Sequence, residues 1–297
     1  MCRKVVYLSC VAAMLSMAMQ VSAANNWVNA TGDGKWSTAA NWDVGVVPTM
    51  TPDSNGNPHI NLTDANACTL DGTQPHAVCQ WLNLGSSAGQ TGTLNVVSGG
   101  TIGGDIGTPA FGPGETWIGL NGSNGILNID GIGSFAKSEG WRIGAGAVDG
   151  GSAVVNITNG GKMAGGTWNN YIHATGTVNI IDGTMEVVML GSSLTIDAGG
   201  RIVLYPNGKL DLYYGDQTNL VNGLIAQGRI TSNSSRCSLE VFYDEDTNWT
   251  HVTSTCKCTT IKTGDLNRDC YVNFLDFADF ASQWLSCTDS LNPACSQ

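Results

Sequence analysis

From residue 91 onward, apolar and polar side chains alternate in short phrases that recur along the chain. The phrases are TGTLNVVSGGTI (Thr91 to Ile102), NGILNIDGIGSF (Asn124 to Phe135), SAVVNITNGGKM (Ser152 to Met163) and TGTVNIIDGTM (Thr175 to Met185). Weaker copies follow in SSLTIDAGGRI (Ser192 to Ile202) and GKLDLYYG (Gly208 to Gly215). A period of two predicts β-strands, with Leu94 and Val96, Leu127 and Ile129, Val155 and Ile157, and Val178 and Ile180 on one face. Asn95, Asn128, Asn156 and Asn179 then share the opposite face. Anchored on these asparagines and on Thr195 and Asp211, the spacings are 33, 28, 23, 16 and 16 residues.

A shorter apolar phrase precedes most copies: WLNLG from Trp81, WIG from Trp117, WRIG from Trp141 and YIH from Tyr171. Each unit therefore holds two or three short strands parted by Gly, Asn and Ser turns. Such a unit cannot bury its own apolar face, so neighbours must stack. The pattern predicts a mainly β fold, a right-handed parallel β-helix (β-solenoid). Roughly six rungs about 4.8 Å apart would make a rod on the order of 30 Å long. Unequal spacings predict loops leaving the rod, as at GDIGTPAFGPGE (Gly104 to Glu115). An antiparallel sandwich is the competing fold, but repeated phrases favour stacking over Greek-key crossing.

Composition supports this division. Glycine supplies 39 of 297 residues, and 29 of these fall between Gly85 and Gly200. Upstream, NNWVNATGDGKWSTAANWDVGVVP brings Trp27, Trp36 and Trp42 together, as a cap over an exposed strand edge would need. This segment and the repeats, roughly Asn26 to Gly200, resemble bacterial exported proteins of the autotransporter-associated β-repeat kind. That resemblance implies the fold and no particular activity. The expected units are a signal at 1–23, a Trp-rich cap at 24–80, the repeats at 81–215, a far cap and spacer at 216–262 and a terminal module at 263–297.

The first 23 residues carry Arg3 and Lys4, an apolar run too short to span a bilayer and the small-residue pattern Val21-Ser22-Ala23. They predict a cleaved secretory signal and a soluble extracellular product without a membrane anchor. Eight of the ten cysteines follow the signal, which in an exported chain favours disulfides. The sequence leaves the connectivity open, and Cys68 with Cys79 and Cys270 with Cys287 are the pairings expected from nearness alone. A zinc site on Cys256, Cys258 and His251 has the wrong ligand spacing. The formal charge of −11, from 24 acids and 13 bases, leaves no basic face for nucleic acid.

The terminal module carries the most specific motif, GDLNRDCYVNFLDFADF (Gly264 to Phe280). Alternate oxygen donors suit a hard cation that takes six to eight oxygen ligands. The expected calcium ligands are Asp265, Asn267, Asp269, the Tyr271 carbonyl, Asn273 directly or through water, and a bidentate Asp276. Phe274, Phe277, Ala278, Ala281, Trp284 and Leu285 then share one face of a following helix. The sequence ahead of Asp265 has poor helix propensity, so the incoming helix of an ordinary EF-hand is not expected. This half-hand resembles a single dockerin repeat, matching at Asp265, Asn267, Asp269, Val272, Asn273 and Asp276. Cys270 replaces the usual glycine, and one repeat stands where dockerins carry two. The resemblance implies docking to a cohesin-like protein or cell-surface scaffold, with Phe277, Phe280 and Trp284 as candidate partner contacts.

No catalytic constellation emerges. Asp130 and Asp197 follow their anchors at the same offset, but too many rungs apart for the 5 to 9 Å that paired glycosidase carboxylates need. His59, His76, His173 and His251 are dispersed. Two readings follow. One is a non-catalytic structural or adhesive rod with a calcium-stabilised docking module. The other is a carbohydrate-active protein that binds or cleaves polysaccharide and is delivered by its tail. Exposure of Trp81, Trp117 and Trp141 as a stripe would favour the second.

Overall fold

A computed structural model describes residues 24–50, 56–103, 114–144, 151–191, 193–256, 263–266, 272 and 274–283. The expected signal peptide lies outside them. The fold is mainly β, built from three seven-stranded sheets that the chain visits in rotation between residues 81 and 213.

The first sheet runs β1 (Asn25–Asn26), β2 (Pro58–Ile60), β4 (Trp81–Leu84), β7 (Glu115–Ile118), β10 (Gly140–Ile143), β13 (Asn170–Ile172) and β16 (Leu194–Ile196). The second, in chain order, holds β3 (Cys68–Leu70), β5 (Thr91–Val97), β8 (Asn124–Asp130), β11 (Ser152–Thr158), β14 (Gly176–Ile181), β17 (Arg201–Leu204) and β19 (Ile230–Ser232). The third holds β6 (Thr101–Ile102), β9 (Phe135–Ser138), β12 (Lys162–Gly165), β15 (Thr184–Val188), β18 (Lys209–Tyr213), β21 (Trp249–Cys256) and β20 (Cys237–Asp244). Every pairing is parallel until the last two of the third sheet, where β18–β21 and β20–β21 are antiparallel. The three-sheet rotation is compatible with a β-solenoid.

Register puts like residues above like. Leu94, Leu127, Val155 and Val178 form one column and Val96, Ile129, Ile157 and Ile180 the next, all fully buried. The first sheet adds Ile60, Leu84, Ile118, Ile143, Ile172 and Ile196, and the third adds Ile102, Ala136, Met163, Met185, Leu210 and Val252. These columns join in one core. On the outer face of the second sheet Asn128 donates to Asn95 (2.8 Å), Asn156 to Asn128 (2.9 Å) and Asn179 to Asn156 (2.9 Å). The ladder satisfies its own amides.

Two anchors take other places. The strand beside Asn179 presents Val203, not Thr195, and Thr195 lies in the first sheet while Asp211 lies in the third. Spacings in the second sheet, followed through Val203 to Thr231, are therefore 33, 28, 23, 24 and 28 residues. A period of two marks a strand but not its sheet, so short phrases from different faces were indistinguishable.

Corners between the first and second sheets fall on Gly85, Gly119 and Gly144, the last residues of WLNLG, WIG and WRIG. Their φ values of 67°, 77° and 86° are left-handed. Each N–H continues the ladder to the strand before, Gly119 donating to the Leu84 carbonyl at 2.8 Å. At Gly119 an added Cβ would lie 2.1 Å from the Ser152 carbonyl oxygen.

The tryptophan segment covers the start of the stack. Trp42 packs edge-on against Trp27 and Trp36, with centroids 5.1 and 4.9 Å apart. The Trp36 N–H bonds to the Thr69 carbonyl, occupying the outer edge of β3. At the far end, α1 (Thr218–Ala226) inserts Val221 and Leu224 into the core.

The cysteines depart from expectation. Cys68 and Cys79 are separate, buried free thiols, and burial pushes both thiol pKa values up. Cys68 points inward from β3 beneath Leu94, while Cys79 precedes β4 of another sheet. Nearness in sequence does not bring them together, because the chain changes sheet between them. Among the described residues the disulfide instead joins Cys237 to Cys256, directly opposite across the β20–β21 hairpin. Cys270 and Cys287 lie outside the described residues.

Candidate functional site

The outer face of the first sheet gathers the most diverse side chains. Trp117 on β7, Arg142 on β10 and Tyr171 on β13 share one column. The Arg142 guanidinium lies between the two rings, 5.3 Å from the Trp117 centroid and 4.4 Å from that of Tyr171. Glu115 fixes this stack. Its Oε1 accepts from Arg142 Nε (3.1 Å) and Nη2 (2.8 Å), and its Oε2 accepts from Trp117 Nε1 (3.1 Å). Tyr171 stacks on His173 at 5.7 Å, and His173 Nδ1 lies 2.9 Å from an Asp197 oxygen. Each planar group is thus held by a neighbour, which makes a preorganised surface.

The tryptophans of the recurring phrases separate here. Trp141 points into the core and its Nε1 donates to the Ala164 carbonyl at 2.9 Å, whereas Trp81 and Trp117 face outward. Trp81 stands opposite Glu115, two positions from the Trp117 column. No stripe of three forms. The sequence reading missed Trp168, which is 46% exposed just ahead of β13. Its signal was present in TWNNYIH, where an outward tryptophan precedes the fourth phrase.

Lower on the same face, His59 Nε2 accepts from Asn83 Nδ2 (3.3 Å), so Nδ1–H donates to Ser86 Oγ (2.8 Å). Burial pushes this imidazole's pKa below the usual 6.5, against the opposing pull of Asp43. The folded protein therefore resists protonation that the unfolded chain accepts. Stability from this neutral histidine is complete above pH 6.5 and falls as pH drops through that value toward the lower folded-state pKa. The melting temperature should fall between pH 7 and pH 5.5. That fall should be smaller in His59→Gln, and an identical fall in both proteins would contradict this account.

The carboxylates also rearrange. Asp130 belongs to the second sheet, and Asp197 follows β16 of the first. The structure does oppose Glu186 and Asp211 on paired strands β15 and β18, a pair the sequence reading missed by aligning Asp211 with the asparagines. Both are engaged: Glu186 with Lys162 Nζ at 2.6 Å, and Asp211 with His251 Nδ1 at 2.8 Å.

In the tail, α2 (Phe274–Gln283) follows the expected loop. Asp265 and Asp276 are buried, at 6% and 3% exposure, and Asp276 Oδ1 accepts from the Leu266 N–H at 2.7 Å. The twelfth loop residue thus turns back to the first turn. Asn267, Asp269, Tyr271, Asn273 and Trp284 lie outside the described residues. Among the described residues, no three His, Cys, Asp or Glu side chains group as a metal site. Phe274, Phe277 and Phe280 are exposed, at 82%, 59% and 44%.

Compared with protein-family models, curated proteins and solved structures, the chain matches none. Among the described residues, no helix is long and apolar enough to cross a membrane.

Proposed function

We propose that this is an exported, non-catalytic structural or adhesive protein, a right-handed parallel β-helix whose dockerin-like tail binds calcium and docks to a cohesin-like protein or cell-surface scaffold. The observation that carries the scaffold reading is the unbroken register of buried columns beneath an asparagine ladder that spends its amides on itself. Outward carboxylates engage cationic or polar neighbours, Asp130 bonding Asn159 and Glu186 pairing with Lys162, which suits rigidity more than proton transfer.

Two buried carboxylates at the first and twelfth loop positions fit a calcium site, because a divalent cation offsets the cost of burying negative charge. Asp265, Asn267, Asp269, Tyr271, Asn273 and Asp276 would hold it, and calcium would supply cross-linking of the loop rather than chemistry. The exposed Phe277 and Phe280, with Trp284, would then face the partner.

Calorimetry of the mature full-length chain tests this reading. Calcium should give a saturable heat that Asp265→Ala and Asp276→Ala each reduce at least tenfold in affinity. Absence of heat with the unaltered chain, or an affinity in both variants unchanged from that of the unaltered chain, would remove the calcium site.

A further inference from the structure

We propose that Trp81 and Trp168, with Glu115 between them and the Arg142 guanidinium bonded to it from the next column, form a binding patch for a neutral polysaccharide. The patch rests on the scaffold reading only through the first sheet and is independent of calcium.

Among the described tryptophans, Trp81 and Trp168 are the exposed ones, at 37% and 46%. They flank one carboxylate. Trp81 is the register partner of Glu115 on the strand below, and Gly140 is its partner on the strand above. Trp168 starts beside Gly140, where an added Cβ would lie 3.1 Å from its own Cβ. The far edge of its indole reaches back to Gly114, where an added Cβ would lie 3.4 Å from its Cη2. The ring therefore crosses from β10 to the strand that carries Glu115, and the missing side chain at Gly140 leaves it room.

Sugar chemistry matches these parts. A pyranose offers an apolar C–H face, which packs on an indole, and a rim of hydroxyls, which pair with carboxylate and guanidinium groups. Glu115 and Arg142 are already locked by three bonds between 2.8 and 3.1 Å, so binding need not order them. The patch follows the stacking direction, in which strands recur about every 4.8 Å. Successive rings of an extended polymer would meet successive strands. Arg142 is neutralised by Glu115, and the chain carries −11 overall, so a neutral polymer fits and a polyanion is repelled.

The test is affinity electrophoresis of the mature full-length chain in gels containing neutral polysaccharides (mannan, xylan, xyloglucan, mixed-linkage glucan) or acidic ones (polygalacturonate, alginate). At least one neutral polymer should retard the protein, with or without chelator. Trp81→Ala and Trp168→Ala should each weaken retardation about tenfold, the loss expected of an aromatic anchor. Ile132→Ala, at an 88% exposed position outside the patch, should leave it unchanged, and all variants should keep the parent's melting curve. Retardation by acidic polymers alone, by no neutral polymer, or equally in the tryptophan variants would overturn the proposal. Loss of calcium heat with retained retardation would instead sink only the tail reading.

Discussion

Gly119→Ala is expected to destabilise the protein by at least about 3 kcal/mol, with early loss of strand signal on heating. Two costs combine. A left-handed φ of 77° disfavours any Cβ, and here the new methyl would sit 2.1 Å from the Ser152 carbonyl oxygen and 2.7 Å from its carbon. Ser152 begins β11, so relief of the clash must push that strand away from β8, to which it is bonded along seven residues. Gly89→Ala separates the two costs. Its φ is 74°, yet nothing lies within 4 Å of the added Cβ. It should lose only the conformational part, about 1 to 2 kcal/mol. Chemical denaturation of both variants decides the matter, and equal losses would refute the close approach at Gly119.

The second large effect is expected at the core. Leu127 is fully buried between Leu94 and Val155 in the column shared by three strands. Leu127→Ala should cost about 2 to 5 kcal/mol, because stacked neighbours fixed by backbone ladders cannot collapse fully into the cavity. Asn128→Ala, one residue along, removes two amide bonds of 2.8 and 2.9 Å from a half-buried ladder and should cost about 1 to 2 kcal/mol. Urea titrations that ranked Asn128 above Leu127 would show that the outward ladder, not the inward column, holds the strands together.

Much of the second sheet was legible in the sequence. Asn95, Asn128, Asn156 and Asn179 sit in equivalent phrases, and they align residue for residue in the structure. Phrases of two or three outward residues carried less information. Trp81, Trp117 and Trp141 looked equivalent, yet one points inward and the other two differ by two positions, because they stand four, two and three residues ahead of their corner glycines. The same ambiguity hid the facing Glu186 and Asp211. Contacts between residues some 30 positions apart leave no local trace, and the Arg142–Glu115 pair is of that kind.

By itself the sequence determined which residues turn inward along the recurring strands of the second sheet, where the chain must bend through glycine, and that units so small must stack. Those outcomes follow from side-chain alternation and backbone sterics, which act over a few residues. Only the tertiary structure decided which sheet receives each strand, that Cys237 meets Cys256 while Cys68 and Cys79 remain thiols, and that two exposed indoles flank one carboxylate. Loop length between strands sets those meetings, and a loop can change length without altering any local pattern.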